Sequence, residues 1–201
     1  MLNALEPTAE RTVQIAAVRG ALGNAPFHIS ARAAAISEQR SLHEVIPTLL
    51  AAYARFLHDP VKRDPKCLAK QAIARALVTL DCQDVDFYLQ GVRYVQLEPV
   101  WGGKADAAVD IRYTCAMGLA ATGYSRTVAA LASLLADTEA RVRAGAARAI
   151  ACRVRDPRRA GDIDTSGRAA SERGGVRLAD WPHRARVACV CRPRHRGAVS
   201  V

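Results

Sequence analysis

Asp137-Thr-Glu-Ala-Arg-Val-Arg-Ala-Gly-Ala-Ala-Arg-Ala-Ile150 is the stretch on which the fold turns, because its pattern recurs upstream. An acid opens it, Val142 and Arg143 follow as an apolar–basic pair, and Ala147 and Ile150 complete an apolar set. Thirty-one residues earlier, Asp106, Ile111, Arg112, Ala116 and Leu119 repeat the same types at the same internal spacing. A third copy is formed by Asp64, Ala69, Lys70, Ala74 and Leu77. A degraded fourth copy at residues 24–36 keeps Ile29 and Ala34 but has no base at the basic position, where Ser30 stands. Repetition at this period is the mark of stacked supersecondary units.

The spacing has a direct physical reading. The aspartate stands where a loop ends, and its carboxylate can take the orphan N–H groups of the helix that follows. The apolar residue, the alanine and the Leu or Ile then share one broad helical face. The alanine lets a neighbouring helix approach closely, and the base sits at the polar edge of the stripe. Each copy is preceded by a second apolar helical segment, at residues 42–57, 85–92 and 127–135. One unit is therefore helix, turn, helix. About 31 residues cannot bury a core alone, so units must stack. The spacing predicts an all-α solenoid of antiparallel helix pairs from near residue 8 to about residue 152, with no strands.

Composition agrees with this. Half of the 201 residues are hydrophobic but only 5% are aromatic, and alanine and leucine carry most of the apolar content. Such residues favour close helix–helix packing over sheets. No apolar run approaches the ~20 residues that span a bilayer. The first eleven residues hold two glutamates and lack a basic-then-apolar leader pattern, so a cytoplasmic location is expected.

These residues resemble a known family. The stretch 137–150 resembles the second helix of a HEAT repeat, and residues 106–119 resemble it almost as well. Val45-Ile-Pro-Thr-Leu-Leu50 resembles the first helix, where such repeats often carry a proline that removes a hydrogen bond and bends the helix. Over residues 25–152 the chain is thus similar to HEAT-like, PBS-lyase-type repeat proteins of the kind found in bacteria. The resemblance implies a ladder in which acids and bases of neighbouring repeats stack. It would give Asp106, Arg112, Asp137 and Arg143 a structural role, with Asp64 and Lys70 a looser match.

Two connections are long: residues 58–65, and the 94–104 segment that lengthens the spacing between the first two well-matched copies. Pro99, Gly102 and Gly103 mark the latter as a loop. Loops on one edge of a repeat array often carry function. Tyr94, Trp101 and Lys104 are therefore the candidate partner-binding residues. Trp101 is either an exposed aromatic anchor or a side chain folded back to close an edge of the core, the commoner fate of a lone Trp.

No catalytic, metal or cofactor site is expected. His43-Glu44 resembles one His-Glu pair of the HEAT-like di-iron hydroxylases, but that chemistry needs several converging pairs. At a helix start the pair reads as capping. Asp84 and Asp86 also precede a helix and read as caps. Cys67, Cys82, Cys115 and Cys152 read as small buried residues of a reducing compartment. Cys189 and Cys191, with His183 and His195, match no zinc spacing. HEAT-like DNA glycosylases use a basic concave surface, whereas the body here carries only +3 of the +10 net charge.

The remaining +7 lies in residues 153–201, which hold 12 arginines and no lysine. There the 3–4 spacing of apolar residues stops. One reading is a disordered basic arm that binds nucleic acid. The other is a GC-rich coding region read out of frame after codon 152, which would leave the last helix without a polar cap and prone to self-association. The leading functional expectation is a non-catalytic scaffold that binds a protein through its concave face or the 94–104 loop. A bilin-lyase-like enzyme subunit is the alternative.

Overall fold

The computed structural model describes residues 6–155. The chain divides into two units, Met1–Asp162 and Ile163–Val201, and the described residues all lie in the first. Both readings of the Arg-rich tail concern residues 153–201, of which 156–201 lie outside those described.

The described residues are mainly helical. Helices α1 (Glu6–Asn24), α2 (Phe27–Gln39), α3 (Ile46–Arg55) and α4 (Pro60–Arg63) come first. They are followed by α5 (Leu68–Thr79) and α6 (Val85–Gly91). Strands β1 (Leu97–Val100) and β2 (Gly103–Asp106) come next, then α7 (Val109–Ala121), α8 (Thr127–Ala132) and α9 (Ala140–Arg155). The three well-matched sequence copies are the turns entering α5, α7 and α9 together with those helices. The degraded copy is α2. Helix α9 runs three residues past the boundary expected at 152.

Helix starts and stops follow local chemistry. The Asp64 carboxylate accepts the N–H groups of Ala69 and Lys70, at 2.8 and 3.0 Å. Asp84 accepts from Phe87 at the start of α6, at 2.9 Å. Pro47 lies in the first turn of α3, where its missing N–H has no helical partner to lose, so it opens the helix rather than bending it. Helices α2 and α5 end on left-handed Ser41 and Asp81, with φ of 50° and 55°. The next N–H, from Leu42 or Cys82, returns to the carbonyl of Ser37 or Leu77 and closes the last turn. The 58–65 connection contains the single helical turn α4.

The hairpin β1–β2 corrects the expectation of a strandless loop at 94–104. Its register pairs Leu97 with Asp106 and Val100 with Gly103, leaving Trp101 and Gly102 as the turn. Gly102 has φ of 88°, which a side chain would strain. Pro99 is tolerated because this strand is an edge strand.

Packing runs from one sequence copy to the next. Helix α5 lies between α2 and α7, and α7 packs in turn on α9. Helices α3, α6 and α8 pack on α5, α7 and α9 respectively. Ala69, Ile111 and Val142, the equivalent apolar positions, are all fully buried. Close approach depends on glycine at three contacts, the first being Gly91 of α6, where a methyl group would fall on the Cys115 sulfur of α7. A methyl group on Gly118 of α7 would fall inside the Tyr88 ring of α6, and one on Gly145 of α9 would press on Tyr113 of α7. Tyr88 cannot yield easily, since its hydroxyl donates to the Cys82 carbonyl at 3.1 Å and the ring is buried. Alanine gains up to ~1 kcal/mol in helix propensity, but overpacking costs ~1–3 kcal/mol. Gly118→Ala is therefore expected to lower stability, read as a lower urea midpoint with unchanged slope.

Tyr53 shows the opposite case. It is buried, and its hydroxyl has no hydrogen-bond partner among the described residues. Burial pushes its ionisation upward, with Cys115, Tyr94, Cys67 and Asp64 nearby adding to the effect. An orphaned buried hydroxyl costs ~1–3 kcal/mol. Tyr53→Phe is expected to raise the melting temperature by about 2–4 °C. A lower melting temperature would show that the hydroxyl is satisfied.

Candidate interaction site

The site is built on the foot of the hairpin. Asp106 closes β2, and its carboxylate accepts the N–H groups of Gln96 at 3.1 Å and Ala108 at 2.8 Å, as well as a donor of Arg112. Burial pushes this carboxyl up. Ala108, Arg112 and Gln96 together outweigh burial and hold it below the usual carboxylate range.

Arg112 is 3% exposed and serves three acceptors. Its Nε and Nη2 grip both oxygens of Asp137 at 3.0 and 3.3 Å. Its Nη1 reaches Asp106 and the Tyr94 carbonyl. Thus Arg112 in α7 joins the hairpin foot to the turn that starts α9. Asp137 also accepts the Glu139 N–H at 2.9 Å.

The other ladder bases behave differently. Lys70 and Asp64 form a pair 2.9 Å apart with both side chains fully buried. Lys70 Nζ also donates to the Phe56 carbonyl at 3.3 Å and stands 5.7 Å from the Tyr94 ring centre. Lys70 thus closes on the acid of its own copy. Arg143 is exposed and donates to the Asp137 and Thr138 carbonyls, both at 2.8 Å. At the ladder positions only Arg112–Asp137 links neighbouring copies among the described residues, and beside it Arg141 of α9 pairs with Asp110 of α7 at 2.5 Å.

Three residues that sequence reasoning missed complete the foot. Gln96, 3% exposed, donates to the Asp64 carbonyl at 3.1 Å and to Glu98, and accepts from the Tyr94 hydroxyl at 2.7 Å. Glu98 accepts the Lys66 N–H at 2.6 Å. Lys66 and Cys67, with φ of 58° and 56°, hold two successive left-handed positions beneath it. A polar Gln in a loop gives no sequence signal of such burial. Arg55, also missed, ties α3 to the α1–α2 junction through the Leu22 and Ala25 carbonyls, both at 3.2 Å.

Of the candidate partner-binding residues, Tyr94 is half-buried within this network, whereas Trp101 and Lys104 stand exposed on the hairpin. Trp101 is fully exposed at the turn and does not fold back onto the core. Val95, Leu97 and Val100 are each about half exposed along the same arm. One side of the hairpin borders a cleft of ≈760 Å³, walled by Leu97, Lys104 and Val109 on one flank and by residues 136–139 on the other.

His43 and Glu44 form a 3-10 turn. Glu44 takes both Arg11 donors at 3.0 Å, a surface tie between α1 and that turn. Burial pushes the Cys67 thiol up to about 12 and raises Cys82 and Cys115. These thiols are held protonated at neutral pH and are poor nucleophiles. Among the described residues no group of three or more His, Cys, Asp or Glu is placed to hold a metal, and no helix is long and apolar enough to cross a membrane. Comparison with models of known protein families and with curated proteins finds no match.

Proposed function

We propose that this chain is a non-catalytic protein-interaction module, a short HEAT-like stack of helix pairs that presents the 97–106 hairpin to a protein partner. The succession α2, α5, α7, α9, each with a companion helix, supports the stacked-pair reading. One observation carries the functional reading: Trp101 is fully exposed at the tip of an arm whose foot is locked by buried Arg112, Gln96 and Lys70. Exposing an indole to water has no structural return, while a rigid, amphipathic ring is a favoured anchor at protein interfaces. Lys104 and the half-exposed Leu97 and Val100 frame it with one charge and apolar surface.

Trp101→Ala is expected to weaken the complex about thirtyfold or more, the scale of an interface hot spot. Its unfolding midpoint should stay within about 0.5 kcal/mol of the parent, as for exposed positions. The measurement is affinity capture from the native cell extract with parent and variant chains, followed by titration of the captured protein. Shortening the tip through residues 99–103 should have the same effect, while Asp106 must be kept because it belongs to the foot. Equal capture by parent and both variants would remove the hairpin from the interface.

A further inference from the structure

We infer that the free edge of β2 takes an extended, acidic segment of the partner protein as a third strand. The inference rests on the hairpin being the interface and names what lies against it. The hydrogen-bond phase of the hairpin is fixed at its foot, where the Ala107 N–H donates to the Gln96 carbonyl at 2.8 Å. Bonded and non-bonded pairs alternate along an antiparallel ladder. Glu98–Ala105 and Val100–Gly103 are therefore bonded pairs, and Leu97–Asp106 and Pro99–Lys104 are non-bonded ones. Residues of a non-bonded pair turn their N–H and C=O groups outward, away from the opposite strand.

The two edges differ. On β1 the outward position nearer the tip is Pro99, which has no N–H, so that edge is interrupted as protected edges are. On β2 the outward positions are Lys104 and Asp106, and each brings both an N–H and a C=O. Gly103, Lys104 and Ala105 are all exposed, so the described residues leave this edge uncovered. Lys104, Ala105 and Asp106 all line the ≈760 Å³ cleft. Successive side chains point to opposite faces, so consecutive residues share one space along the edge of a strand. Outward main-chain groups at every second residue are matched by another strand, whereas a helix has already bonded its own.

Charge selects which strand. The Lys104 ammonium makes no ion pair among the described residues. The β2 edge of a second copy would set lysine near lysine, which is unfavourable. An acid on the added strand would instead be a cross-strand neighbour of Lys104, with Cβ atoms ~5 Å apart. Glu139 belongs to the opposite wall of the cleft and is not such a neighbour.

The test uses the full chain and a labelled synthetic peptide of about eight residues, with threonine and valine alternating around one central glutamate. A sister peptide carries lysine in place of the glutamate. Two further peptides carry N-methyl groups on alternate amides, the second set shifted by one residue. A strand turns alternate N–H groups to opposite edges. Fluorescence anisotropy should therefore show one methylated peptide binding like the parent peptide and the other at least about thirtyfold more weakly. The lysine sister should bind about fivefold more weakly or worse. Lys104→Pro removes an outward N–H but no bond of the ladder, and should abolish binding. Lys104→Gln should weaken binding about threefold and keep the methylation pattern. Slow hydrogen exchange of the Gly103 and Ala105 amides, which bond to β1, reports that the hairpin is intact in each variant. If Lys104→Pro loses that protection, the methylated pair decides. Failure of the parent peptide to bind would overturn the inference, as would equal weakening by both methylated sets or equal binding of the glutamate and lysine peptides. These outcomes are separate from those of the capture experiment. Capture lost on Trp101→Ala, with no discrimination between the methylated peptides, would keep the hairpin as the interface and remove the strand. Equal capture by the parent, Trp101→Ala and tip-shortened chains would remove the interface itself.

Discussion

Asp64→Ala is expected to cost about 3–5 kcal/mol of folding free energy, the usual loss when one member of a buried ion pair is removed. Its carboxylate takes two backbone N–H groups at the start of α5 and the Lys70 ammonium, and both side chains are inaccessible to water. Without it the ammonium keeps only the Phe56 carbonyl and the face of the Tyr94 ring. Domains of this size are stable by only ~5–15 kcal/mol, so the variant approaches unfolding at 37 °C. Lys70→Met alone should cost less, because the remaining carboxylate keeps its two N–H donors. The double variant should cost clearly less than the two single losses added, since neither leaves a charge for the other. Urea unfolding of the four chains measures this cycle. A loss below about 1 kcal/mol for Asp64→Ala would show that water reaches the pair.

Arg112→Ala is expected to cost about 3 kcal/mol. It strands Asp106 and Asp137, both largely buried, and frees the Tyr94 carbonyl. Arg112→Lys should recover only part of the loss, because a point charge cannot grip Asp137 through two parallel donors. The effect should depend on pH. The folded-state pKa of Asp106 is depressed, so its contribution is present at neutral pH, above the unfolded value of ~3.9. That contribution fades as pH falls through the folded value. The parent should therefore lose stability below about pH 4 more steeply than Arg112→Ala, whose Asp106 has already lost one of its stabilising donors. Chemical denaturation at a series of pH values compares the two slopes. Parallel profiles would place the acid sensitivity elsewhere.

The helices that carry the repeat were legible because a capping acid, an apolar stripe and an alanine each have a local physical meaning. Asp64, Asp106 and Asp137 all accept N–H groups at helix entrances, as their place in the pattern implies. The hairpin was not legible. Four-residue strands give too short an alternation to register, and Pro99 with Gly102 and Gly103 reads equally well as a plain loop. The ladder was legible as a set of positions but not as a set of partners. Lys70 looked the loosest member, yet it is the most deeply buried of the three bases, because the Asp64 carboxylate, the Phe56 carbonyl and the Tyr94 ring meet it from separate parts of the chain. Tyr94 and Trp101 lie in one segment, and only the register that places Trp101 at a turn separates an anchored ring from a free one. Gln96 carries no sequence mark at all, since its importance comes from three partners that the fold brings to it.

The paired strands have one more consequence, in terms of protein engineering. Leu97 and Asp106 face each other across the ladder, so the chain leaves and re-enters the helical body at adjacent points. Segments grafted between Val100 and Gly103 would enter on a stem already closed, and the separation of α6 from α7 would not change with their length. Loop entropy would then be the main penalty, and it grows only logarithmically, by ~0.6 kcal/mol per doubling. The hairpin is thus a socket for exchangeable recognition sequences on a helical frame that does not register the exchange.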